Sequence, residues 1–182
     1  AAWWDADPEA PGRTYARWGG FIDGVDEFDA AFFGIAPREA ERMDPQERLF
    51  LQCAWAALED AGCTRDTLAA GRAPGEGAPV GVFVGVMYQE YQLHAAQAQA
   101  RGEALTAGAS AASVANRVSH VFDFSGPSLA VDTMCSSSLT ALLLACESLR
   151  RGECEVALAG GVNVSVHPNK LDRKSTRLNS SH

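Results

Sequence analysis

One cysteine, followed by three serines and a long apolar run in LAVDTMCSSSLTALLLACESL, brings this sequence closest to chemistry. Cys135 stands between a short segment with strand character, 128–132, and the first turn of an apolar helix, 136–151. Backbone N–H groups left unpaired at a helix start carry partial positive charge and favour a thiolate over a thiol. The same groups can hold the oxyanion that develops on an attacked carbonyl, so nucleophile and acyl-oxygen acceptor coincide. Ser136, Ser137 and Ser138 are small and keep the approach open. The alternative is a buried small hydrophobe, the commoner fate of a cysteine at such a turn. Spacing alone leaves both open.

The elements that must position Cys135 follow from hydrophobic pattern. Residues 43–62 predict a helix, with Asp44 as cap, Pro45 at its first position, Glu47 completing a capping box and Gly62 ending it. Leu49, Phe50, Cys53, Ala54, Ala57, Leu58 and Ala61 then share a buried face. VGVFVGV at 80–86 reads as a fully buried strand in which Gly81 and Gly85 permit close backbone approach. Residues 88–104 are polar and Ala/Gln-rich without a decisive face, and read as loop or mobile helix. A short helix at 109–121 presents Val114 and Val118, FDFSG makes a turn, and VALAGGVNV at 156–164 is another buried strand. Buried strands alternating with helices define an α/β layered fold with a largely parallel sheet.

Other candidate sites give way to simpler readings. Asp23, Asp26, Glu27 and Asp29 lack the order of a calcium loop and read as a solvated loop. GVFVG and AGGVN are not nucleotide loops, since neither has the spacing of a phosphate-binding turn before a helix. Cys53, Cys146 and Cys154 lie on apolar faces and read as core, and Cys63 reads as an exposed thiol. Five cysteines without a C-x-x-C pair make neither a disulfide framework nor a zinc site. No metal or bound cofactor is expected. His94 and His167 read as loop residues and His120 as structural; a Cys-His dyad within the chain is the minor alternative.

The formal charge of −8 over 182 residues argues against nucleic acid, whose phosphates need clustered Lys and Arg. No apolar run reaches the roughly 18–20 residues of a membrane span, and AAWWDADPEA lacks the pattern of a signal peptide. A cytoplasmic location without membrane contact is the expectation. Lysine occurs only at positions 170 and 174. DRKSTRLNSSH, residues 172–182, has neither the composition nor the periodicity of the rest, and reads as an unstructured tail of cloning or sequencing origin; a divergent natural C-terminus is the alternative.

The region NRVSHVFDFSGPSLAVDTMCSSSLTALLLACESLRRGECEVALAGGVNVSVHPNK resembles the active-site region of β-ketoacyl synthases of polyketide and fatty-acid assembly lines. WGGFIDGVDEFDAAFFGIAPREAERMDPQERLFLQCAWAALEDAG resembles the same family's N-terminal region, so the likeness runs from about residue 18 to 171. It implies a thiolase-like layered fold, present as the N-terminal half only, over residues 1–171. In D-T-x-C-S-S-S the cysteine, here Cys135, accepts an acyl chain from the phosphopantetheine arm of an acyl carrier protein. The thioester then meets a carbanion from a decarboxylated malonyl-type extender, a decarboxylative Claisen condensation, with the Cys135 N–H as one oxyanion donor. Splitting carbon–carbon bond formation this way is covalent catalysis.

Met134 stands where most of these enzymes have Ala, and DTMCSSSLTA, GVFVGVMYQEYQL and SVHPNK look most like bacterial modular polyketide synthases whose acyltransferase is a separate protein. Met134 as gap-filling packing is the simpler alternative. The family's downstream H-G-T-G-T and K-S-N-I-G-H motifs, which supply its two His and its Lys, do not occur here, nor does the family's first strand. The expectation is a fragment not competent for condensation, from a homodimeric parent with 128–131 near the two-fold axis. A chain-passing or scaffold ketosynthase and, less favoured, a cysteine-dependent thioester hydrolase are the competing functions.

Overall fold

Strand β1, Val80–Val86, is buried along its whole length and sorts the chain into layers, because successive side chains of a strand point to opposite faces. The computed structural model describes residues 4–167, apart from 12, 74 and 109. In it α1 (Pro37–Ala40), α2 (Pro45–Asp60) and α3 (Arg65–Leu68) precede β1, followed by α4 (Tyr91–Ala100), α5 (Ala111–Phe122), β2 (Ser128–Val131), a short 3-10 turn (Met134–Ser136), α6 (Ser137–Arg151) and β3 (Val156–Val162). The three strands form a parallel sheet in the order β2-β1-β3. Val80, Val82, Val84 and Val86 join the main core with Phe50, Leu51, Ala54 and Leu58 of α2 and Val114, Ala115 and Val118 of α5. Phe83 packs on the other face against Ala141 and Ala145 of α6. Burying one such Val or Leu contributes about 1.5–3 kcal/mol, and the core draws several from each of these elements.

The α/β layering with a parallel sheet is as expected, and several local readings are corrected. The buried face of α2 is Glu47, Phe50, Leu51, Ala54 and Leu58, so Cys53, Ala57 and Ala61 are exposed and Leu49 is half-buried. Asp44 does cap, accepting from the Gln46 N–H at 2.8 Å. Glu47 completes no capping box: its carboxylate turns to α5, meeting Arg117 Nε at 2.8 Å and the Ser113 hydroxyl at 3.0 Å. Of residues 88–104, read as loop or mobile helix, 91–100 form the helix α4, which packs through Ala95 and Ala98; small residues bury little area and give a weak periodic signal. Strand β3 is only partly buried, because it lies at an edge of the sheet. Of the cysteines read as core, Cys154 is buried and Cys146 half-buried, and Cys63 packs half-buried against the main core. His94 lies on α4, while His120 is exposed in the last turn of α5. The tail read at 172–182 lies outside the described residues.

Candidate active site

The turn that carries Cys135 is built from hydroxyls. Asp132 Oδ1 accepts from the Met134 N–H at 2.9 Å, opening the turn. The Ser137 hydroxyl accepts from the Thr133 N–H at 2.9 Å and donates to the Met134 carbonyl at 2.6 Å, so one buried side chain clamps both residues before the cysteine. Thr133 Oγ1 lies 2.9 Å from Ser136 Oγ and 3.0 Å from Thr140 Oγ1. Met134 is held at φ 61°, a left-handed conformation that costs a non-glycine residue of order 1 kcal/mol and persists only where its surroundings impose it. Cys135 follows directly, exposed, in the turn that runs into α6.

Glycine brings that turn onto the sheet. Gly85 of β1 and Gly161 of β3 are register partners. A Cβ on Gly85 would sit 2.6 Å from the Ser138 backbone N, and one on Gly161 would sit 2.9 Å from the Ser138 Cβ. Hydrogen at both positions therefore lets the N-terminus of α6 rest against the C-terminal ends of two parallel strands, where open α/β sheets place their ligands. A cavity of about 310 Å³ opens there, walled by Gly85 and Met87 from the β1 end, Gly161 and Asn163 from the β3 end, and Met134 and Cys135 from the turn. The first N–H groups of a helix have no carbonyl partner within it, so such a site offers donors to an anion.

The remaining candidates do not converge on Cys135. Among the described residues, no histidine lines its cavity. His94 and His167 instead meet each other, ring centroids 5.3 Å apart, with His94 Nε2 at 2.8 Å from the Val166 carbonyl oxygen. Burial and the neighbouring His94 hold His167 below the ordinary imidazole value. A larger cavity of about 740 Å³ lies among Phe32, Trp55, Leu58, Cys63 and Phe122, and Cys135 is not in its wall. The acidic residues 23–29 form no group able to hold a metal, and no such group occurs among the described residues. No helix among them is long and apolar enough to cross a membrane.

Two buried polar residues escape a sequence reading. Glu47 pairs with Arg117, which also reaches Glu39 at 2.6 Å, and Gln46 bonds to backbone groups far along the chain. Their one sequence signal is position: both open α2, and Glu47 continues the stripe of Phe50, Leu51 and Ala54.

Residues 1–181 match the model of the β-ketoacyl synthase N-terminal domain. Polyketide synthase PksL of Bacillus subtilis is 62% identical over 168 residues, and polyketide synthase ThaG of Burkholderia thailandensis 67% over 166. These matches cover 92% and 90% of this chain but 4% and 3% of those proteins. The oxazolomycin ketosynthase domain of Streptomyces albus superposes with a TM-score of 0.86 at 53% identity, over 97% of this chain and 29% of that one. The ketosynthase of module 6 of the Bacillus subtilis bacillaene synthase gives 0.72 at 36%, over 87% and 25%. A glycine-seated helix start presenting an exposed cysteine thus sits in a thiolase-like layered fold, and the chain belongs to the β-ketoacyl synthase family, within its N-terminal domain.

Proposed function

We propose that these residues are the nucleophile-bearing part of a polyketide ketosynthase, and that Cys135 takes an acyl chain as a thioester. The observation that carries the reading is the placement of an exposed cysteine at the start of a 15-residue helix, in the wall of a cavity at the ends of two parallel strands. The Cys135 thiolate attacks the thioester carbonyl of an acyl group carried on the phosphopantetheine of an acyl carrier protein. A carbon–sulfur bond forms at Cys135, and the carrier thiolate leaves and takes up a proton. Backbone N–H groups of the helix start hold the carbonyl oxygen while it bears charge. The acyl-enzyme then condenses with a malonyl-type extender that has lost carbon dioxide, which regenerates the Cys135 thiol.

Among the described residues, neither histidine nor lysine lines the cavity at Cys135, and condensation is assigned to the full-length protein. In this reading that protein is a cytoplasmic homodimer served by a separate acyltransferase; the likeness to PksL and to the bacillaene ketosynthase supports a polyketide synthase parent. Full-length protein, incubated with acyl- and malonyl-loaded carrier proteins, is expected to release a β-ketoacyl product detectable by mass spectrometry. Loading without condensation would replace this reading with a chain-passing ketosynthase. Free acid formed faster than product would replace it with a thioester hydrolase.

A further inference from the structure

Gln46 is among the most deeply buried side chains of the molecule, 1% exposed, although glutamine is seldom buried so fully. Its carboxamide is satisfied at both ends by backbone: Nε2 donates to the Tyr88 carbonyl at 2.6 Å, and Oε1 accepts from the Val164 N–H at 3.1 Å. Those two groups belong to the exits of β1 and β3. The paired register of the two strands ends at Val86 opposite Val162. Two residues further along each strand, the side chain from α2 spans the gap with one donor and one acceptor, as a peptide unit of an intervening strand would.

The residues enclosed by this bridge are the ones that matter to Cys135. Met87 and Asn163, each one residue before a Gln46 partner, line the cavity with Gly85, Gly161 and Cys135. Their neighbours Tyr88 and Val164 are tied to the α2 side of the sheet, which leaves residues 87 and 163 on the side of α6. Gln46 is itself fixed, because its backbone N–H is held by the Asp44 cap at 2.8 Å and Pro45 opens the helix before it.

We infer that Gln46 is a positioning residue that sets the separation of the two strand exits flanking Cys135, and through it the room for the acyl chain. The inference rests on the reading of Cys135 as the acyl acceptor. Gln46 touches no reacting atom; it acts through Met87 and Asn163.

The test uses full-length protein and simple thioesters of N-acetylcysteamine carrying two-carbon and eight-carbon acyl groups, with loading of the Cys135 peptide followed by mass spectrometry. Gln46→Met keeps length and loses both hydrogen bonds; Gln46→Glu keeps an acceptor and serves if the methionine variant does not fold. Leu51→Ala, in the same helix and equally buried, reports what destabilising α2 does by itself. A displaced wall is expected to change the ratio of two-carbon to eight-carbon loading by about tenfold or more, as positional errors near 1 Å do, with the ratio unchanged in Leu51→Ala. An unchanged ratio in the folded Gln46 variant, or the same change in Leu51→Ala, overturns the positioning role and leaves Cys135 as acceptor. Loading of the unsubstituted protein at a residue other than Cys135 overturns the underlying reading, and the inference with it.

Discussion

Cys135 was legible because everything that marks it is local: strand, turn, small residues and apolar helix fall within about twenty positions. Gln46 and Glu47 were not, because their partners lie 42 to 118 residues away, and a polar residue after a helix-opening proline reads as a cap. Asp44 shows how far the environment at that helix start departs from water. Burial pushes its carboxyl above the ordinary value of 3.8, the nearby Glu47 charge adds to this, and the bonds from Gln46 and the Arg48 charge oppose it. Between 3.8 and the raised value the folded chain binds more protons at Asp44 than the unfolded chain does. This contribution to stability therefore falls as pH rises through that window and is level outside it. Asp44→Asn retains a capping oxygen, so urea unfolding of the two proteins from acid to neutral pH is expected to diverge within that window alone. Parallel curves throughout would contradict a raised Asp44.

At the scale of elements, β1 was legible as a continuous apolar run and α5 and α6 from their helical pattern, whereas α4 and the edge position of β3 were not. An Ala- and Gln-rich helix carries little hydrophobic pattern, and which of two apolar strands lies at an edge is decided by pairing partners. The seating of α6 on the sheet depends on Gly85, where a Cβ would lie 2.6 Å from backbone. Gly85→Ala is expected to destabilise by about 1–3 kcal/mol, as overpacking does, and to slow alkylation of Cys135 by iodoacetamide as the helix start shifts. An unchanged alkylation rate would show that the cysteine does not depend on this contact. The α2–α5 junction rests on the buried Glu47 and its Arg117 partner. Arg117→Met leaves that carboxylate buried without its cation and is expected to cost about 3–5 kcal/mol in chemical unfolding. A loss below 1 kcal/mol would mean that the pair adds nothing beyond packing.

For the whole molecule, the described sheet has three strands and one apolar helix face turned outward. Leu139, Leu142, Leu143 and Leu149 of α6 and Leu129 of β2 are all exposed. Helical spacing puts those four leucines on one face of α6, and an exposed patch of this kind drives association. The chain spans 29% of the solved oxazolomycin ketosynthase domain. As an isolated 182-residue polypeptide it is expected to self-associate and to bind an apolar dye, in size-exclusion light scattering and fluorescence. Replacing Leu139 and Leu143 with glutamate is expected to weaken both; a monodisperse monomer that binds no dye would contradict an open apolar face.

All of this converges on one sulfur atom. Exposed Cys53 provides an internal competitor, because it is accessible but lies in mid-helix away from any turn or strand end. Peptide-mapping mass spectrometry of full-length protein treated with an acyl-carrier-protein thioester reads the outcome directly. The acyl group is predicted on the peptide containing Cys135, absent from Cys135→Ala and retained in Cys53→Ala. An adduct that survives Cys135→Ala, or that maps to Cys53, would contradict the account.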